Sequence, residues 1–167
     1  MRIPAATYRL QFNSSFGFKE ARKIIEYLSE LGISSIYASP IFKARKGSLH
    51  GYDVADPNKL NSELGAVQDF EELIKELKNQ GIGWIQDIVP NHMAYRGENE
   101  ILMDILENGK ASSYLKFFDI EWNHPYESMK GRLLAPFLGR LYGESLEDGE
   151  IQLKYDENGF TVNYYDL

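Results

Sequence analysis

The sequence predicts an α/β fold of parallel strands joined by helical crossovers, on three observations. The stretches Phe18 to Ser39 and Val67 to Ile88 carry one apolar pattern at an offset of 49 residues. Both run in the same order: helix, glycine, short apolar run, proline. Two polar clusters, HGYD at His50 to Asp53 and DIVPNH at Asp87 to His92, are each placed where a buried strand should end. Polar and aromatic groups gathered at the carboxyl ends of neighbouring parallel strands are how barrel enzymes floor an active site.

The elements follow in order. Ala6 to Phe12 reads as a first strand, with Tyr8, Leu10 and Phe12 alternating against Thr7, Arg9 and Gln11. Phe18, Ala21, Ile24, Ile25 and Leu28 then recur at helical spacing up to Leu31, and Gly32 supplies a C-cap free of a Cβ penalty. Ile33 to Ala38 is a second strand, closed by Pro40. A long loop from Pro40 to Ala66 leads into a helix from Val67 to Gln80, capped by Gly81, and a third strand from Ile82 to Val89, closed by Pro90. Strands separated by helices must run parallel through right-handed crossovers, so the three are expected side by side, with Gln11, Ser39 and His92 opening on one side. Beyond Pro90 the style changes. Ile101 to Glu107 and Ser112 to Phe117 read as short helices with Asn108 and Gly109 between them, and Glu150 to Tyr155 and Phe160 to Tyr165 flank DENG as a hairpin. Two regions result, 1–90 and 91–167.

Composition narrows the function classes. The chain has 167 residues, 43% hydrophobic and 13% aromatic, enough for a buried core. Its formal charge of −7 has no compensating basic block, since Lys43, Arg45 and Lys46 form the densest cluster, so a nucleic-acid partner is not expected. No apolar stretch has the length of a membrane span, and Arg2 and Arg9 flank a start without a signal-like run; a cytoplasmic protein without a membrane partner is expected. Cysteine is absent and the histidines are His50, His92 and His124, so no metal site and no cofactor are expected.

The candidate site residues come from the two clusters. Tyr52, beside His50 and Asp53 on a loop hinged by Gly47 and Gly51, suits a sugar, because a ring offers an apolar face to a pyranose while polar neighbours take its hydroxyls. The competing reading is a tyrosine that packs the loop down, with Asp53 and Asp56 as turn acids. Asn91 and His92 could bind the same ligand, or serve as a turn residue and a histidine satisfied by the backbone. Asp87, inside the third strand, needs an arginine or donors from an adjacent strand, and its preferred reading is structural. Retaining glycoside chemistry needs two carboxyl groups about 5–5.5 Å apart, and neither Asp53 and Asp56 nor Asp104, Glu107, Asp119 and Glu121 make a credible pair.

With these residues in hand, the chain resembles the α-amylase superfamily and, within it, the maltooligosyltrehalose synthase family. DIVPNH is similar to the superfamily's first conserved region. The narrower likeness lies in IPAATYRLQF, LGISSIYASPIFKARKGSLHGYDVADPNKLNSELG, DIVPNHMA, LENGKASSYLKFFDIEW, LLAPFLG and NYYDL, and so covers nearly all of residues 3–167. The resemblance implies a partial TIM (β/α)8 barrel, its first three βα units in 1–90, with 91–167 the start of a domain inserted after the third strand. It implies that Tyr52 stacks on the sugar of the reacting bond, that His92 donates to that sugar, and that Asn91 matches a calcium position of many amylases which this branch does not need. The implied activity turns the reducing-end α-1,4 bond of a malto-oligosaccharide into an α,α-1,1 bond. The family's nucleophile, acid/base and third carboxylate have no counterpart here, for there is no Gly-x-Arg-x-Asp segment and no late His-Asp pair. The chain is therefore expected to be an N-terminal portion, inactive alone, with the remainder of the barrel as a complementary partner. Two alternatives stay open: part of an α-glucan hydrolase, and a non-catalytic sugar-binding or assembly fragment.

Overall fold

The structure of the chain, a computed structural model, describes residues 3–157 and 159–165. It divides into two compact units, the first ending at Met103 and the second starting at Asp104. The first runs β1 (Thr7–Leu10), α1 (Phe18–Lys23), α2 (Ile25–Glu30), β2 (Ser35–Ala38), β3 (Phe42–Ala44), β4 (Val54–Leu60), α3 (Val67–Asn79) and β5 (Gly83–Gln86), and closes in the first turn of α4 (Glu100–Asn108).

β1, β2 and β5 form a parallel sheet in that order, as the repeat requires. Its rows run from Thr7, Ser35 and Gly83 up to Leu10, Ala38 and Gln86. Side chains alternate across a sheet, so one parity faces the helices and the other faces away. Leu10, Ile36 and Ala38, with Trp84 packed against them, join Phe18, Ala21, Ile25, Leu28, Leu73 and Leu77 from the helices in one core. Each fully buried leucine or isoleucine contributes about 1.5–3 kcal/mol through removal from water. Arg9, Tyr37 and Ile85 share the opposite face in a single row.

Three local expectations are corrected. The helix from Phe18 to Leu31 is two helices, because the chain tightens at the adjacent β-branched Ile24 and Ile25, where Ile24 N–H bonds to Ala21 O. Ile25 and Leu28 are both buried in the core. The loop from Pro40 to Ala66 contains the antiparallel pair β3 and β4, followed by a 3₁₀ turn at Ser62–Leu64. The pair has no clean period of two: its register slips twice, Val54 and Ala55 are buried in succession, and Pro57 interrupts the strand. Ser112 to Phe117 is not a helix but a run of turns, with Leu115 N bonded to Ser112 O and Phe117 N to Tyr114 O. There the Ser112 hydroxyl bonds Asp104 and accepts from Tyr114 N, a local alternative to helical bonding.

The second unit holds the rest of α4, a 3₁₀ turn at Gly109–Ala111, α5 (Tyr142–Glu147), and the hairpin of β6 (Ile151–Asp156) with β7 (Gly159–Tyr164). Asn158 of the expected DENG turn lies outside the described residues. Arg140 ties the hairpin base by bonding both Asp148 and Glu150, and Tyr165 donates to Glu150 at 2.7 Å. Among the described residues no helix is long and apolar enough to cross a membrane.

Candidate active-site floor at the sheet mouth

The carboxyl ends of the three parallel strands bring together a closed ring of four side chains. Arg9 comes from β1 and Tyr37 from β2, paired in register on the face away from the helices. Asp87 follows β5 on the same parity, and its N–H bonds to Ala38 O, so the ladder carries it to the edge of the sheet. Tyr52 arrives from the loop between β3 and β4.

Tyr52 Oη donates to Asp87 Oδ2 at 2.5 Å and accepts from Arg9 Nη2 at 3.2 Å. Tyr37 Oη donates to the same Asp87 oxygen at 2.9 Å. The Arg9 guanidinium lies 5.8 Å from the centre of the Tyr37 ring, within cation–π range, and so closes the circle. The bond to Asp87 pushes the Tyr37 phenol up from its ordinary value, since ionising the ring would place a second negative charge against the carboxylate. The bond to Tyr52 likewise pushes the Arg9 guanidinium further up. Asp87 therefore has the partners its position demanded, supplied as hydroxyls from an adjacent strand and a loop rather than as a direct arginine pair.

His50 and Asp53 flank Tyr52 and organise its loop. His50 Nδ1 accepts from Tyr52 N–H at 3.0 Å, and its ring centre is 6.0 Å from that of Tyr52. The same Nδ1 lies 3.9 Å from Asp53 Oδ1. Asp53 takes the Ser48 hydroxyl at 2.5 Å and lies 3.4 Å from Arg45 Nε. The loop is joined to β1 by Gln11, whose Nε2 donates to His50 O at 3.2 Å. Gly51 makes the turn at φ +77, with its α-carbon so close to Pro40 that an added Cβ would stand 2.7 Å from the Pro40 carbonyl oxygen.

Other expected residues lie elsewhere. His92 and Asn91 are exposed and bond each other, with His92 Nδ1 3.1 Å from Asn91 Oδ1. Asn13, a further polar residue just after β1, is taken up by its own turn, where its side chain accepts from Ser15 N and Phe16 N. Ser39 does not open on the mouth: it is fully buried, and its hydroxyl accepts from Phe12 N at 2.8 Å. Asp56 is held by Asn58 N and Lys59, as a turn acid is. Among the described residues no group of three or more histidine, cysteine or acidic side chains is placed to hold a metal ion.

Arg9 and Tyr37 were not foreseen as site residues. Their signal was parity, since each interrupts an apolar strand on the face away from the core, next to residues that alternate inward.

Comparisons with known proteins identify the family and the fold. Residues 21–162 match the α-amylase catalytic-domain family. A protein of Mycobacterium tuberculosis assigned as a maltooligosyl trehalose synthase is 37% identical over 89% of the chain. A solved maltooligosyl trehalose synthase superposes over 99% of the chain with a TM-score of 0.82 at 36% identity. The synthase of Arthrobacter ramosus superposes over 98% with a TM-score of 0.78, again at 36% identity. The chain spans 20–22% of the length of these relatives.

Proposed function

This chain belongs to the α-amylase family of catalytic domains, and from that premise we propose that it forms part of an intramolecular glucosyltransferase acting on malto-oligosaccharides. In that reaction the α-1,4 bond to the reducing-end glucose breaks, and the same glucosyl carbon forms a bond to the anomeric oxygen of the released glucose. No water is consumed, so the product is an isomer with an α,α-1,1 bond.

The residues described here seat the sugar. The observation that carries this reading is the tether on Tyr52, whose phenol is held by Asp87 and Arg9 at the strand ends while the side chain stays partly exposed. A ring fixed by its hydroxyl presents its face in one orientation, and fixed orientation is what brings a glycosidic bond to the reacting groups. His50 and Asp53 flank Tyr52 and offer polar groups to the sugar hydroxyls, and the exposed Asn91 and His92, which follow β5, are assigned to the same sugar as further polar contacts. Retention requires two carboxyl groups about 5–5.5 Å apart, whereas Asp87 is the carboxylate in the ring and both hydroxyls of the ring already bind it. We therefore assign binding and orientation to these residues, and no turnover to the chain on its own.

The test grafts residues 1–167 onto the remaining segments of the Arthrobacter ramosus synthase and supplies maltopentaose. The expected product is an isomer of the substrate without reducing power. Release of glucose and shorter reducing chains as the sole products would instead assign a hydrolase.

A further inference from the structure

Tyr52 sits on a loop hinged by two glycines at positive φ, Gly47 and Gly51, so its backbone is a poor guarantor of where its ring points. The far end of the ring is fixed by its hydroxyl, which uses its one proton toward Asp87 and a lone pair toward Arg9. Neither anchor is free to drift. Tyr37 bonds the very oxygen that receives Tyr52, and the Arg9 guanidinium lies over the Tyr37 ring. Arg9 and Tyr37 are register partners on neighbouring strands, which are rigid supports compared with the loop.

We infer that Arg9 and Tyr37 are positioning residues, which transmit the geometry of the parallel sheet to the Tyr52 ring through its hydroxyl and Asp87. The inference rests on the sugar-seating role proposed for Tyr52. A purely stabilising role fits the observations less well, because Arg9 is exposed and Tyr37 and Tyr52 are half-exposed, and polar contacts in such places add little to stability. What the ring of contacts does define is direction: four side chains from three strand ends and a loop meet in one closed circuit, leaving the Tyr52 hydroxyl a single arrangement.

The test uses the 167-residue chain with maltotetraose as probe. Affinity is read by NMR titration, thermal midpoint by circular dichroism, and the Tyr52 ring by its aromatic shifts and its contacts to His50. Tyr37→Phe and Arg9→Met, which keep the ring and the apolar stem, are each expected to weaken maltotetraose binding about tenfold, the worth of one such hydrogen bond. Their melting should match that of the parent, and Lys75→Ala should change neither reading. In a Tyr52→Phe background, where no hydroxyl remains to be held, Tyr37→Phe should have no further effect on affinity. An equal loss in both backgrounds, or a lowered midpoint with unchanged affinity, would overturn the inference. If the parent chain does not bind maltotetraose, the sugar-seating role fails for this chain. The ring measurement then decides the positioning alone, since a Tyr52 ring unmoved by Tyr37→Phe refutes it and a reoriented ring sustains it.

Discussion

Tyr52 and Asp87, 35 residues apart in sequence, meet through a 2.5 Å hydrogen bond from phenol to carboxylate. That bond ties one residue of each polar cluster together, and it makes Asp87 the acceptor on which a loop residue and a strand residue both depend.

Replacing the carboxylate should be visible in Tyr37. Its phenol is raised above the ordinary 10.0 chiefly by the bond to Asp87, so Asp87→Asn should return its titration toward that value, as read from phenolate absorbance. The sign for stability follows from the raised folded pKa. This contribution is fully present below the unfolded value and lost as pH climbs through the folded one, so the parent should lose stability above about pH 10 and Asp87→Asn should lose less there.

In the grafted enzyme, Tyr52→Ala should lower kcat/KM by about tenfold or more, because the orienting platform is gone. Asp56→Ala should leave kcat/KM nearly unchanged, since that carboxylate serves Asn58 and Lys59 in its own turn. A larger effect at Asp56 would move the site away from the ring of four.

Ser39→Ala should cost about 1–3 kcal/mol in urea unfolding, for it leaves the buried Phe12 N–H without its acceptor. Maltotetraose affinity should stay that of the parent once the protein is folded.

Gly51→Ala combines a left-handed backbone with a Cβ driven against the Pro40 carbonyl. A loss of about 2 kcal/mol or more is expected by urea unfolding, together with displaced Tyr52 ring signals in NMR.

On the helix layer, Leu73→Ala removes a fully buried side chain and should cost about 2–5 kcal/mol, whereas Lys75→Ala, two positions on, should stay within about 0.5 kcal/mol of the parent.

The parallel sheet and its order were legible because Ile25, Leu28, Leu73 and Leu77 repeat at helical spacing and each unit is punctuated by glycine and proline. The β3–β4 pair was not, because slipped register and Pro57 erase the alternation on which strand reading depends. Residues close in sequence, such as His50, Tyr52 and Asp53, could be grouped directly from the two clusters. The ring of four could not, since it depends on which strands are neighbours and on the facing parity of Arg9 and Tyr37. Ser39 shows the opposite error, for a hydroxyl at a strand end looks like a site group, whereas the buried N–H of Phe12 takes it up.

The order β1, β2, β5 also matches the order in which the strands leave the ribosome. Each new parallel strand finds its partner already synthesised and adds to the edge just completed, while β3 and β4 pair locally in the interval. The sheet can therefore grow vectorially during translation, with no early strand held waiting for a distant one to be inserted between it and its neighbour. Arg9 and Tyr37 are synthesised before Asp87, so β5 brings its carboxylate to two strands that already exist.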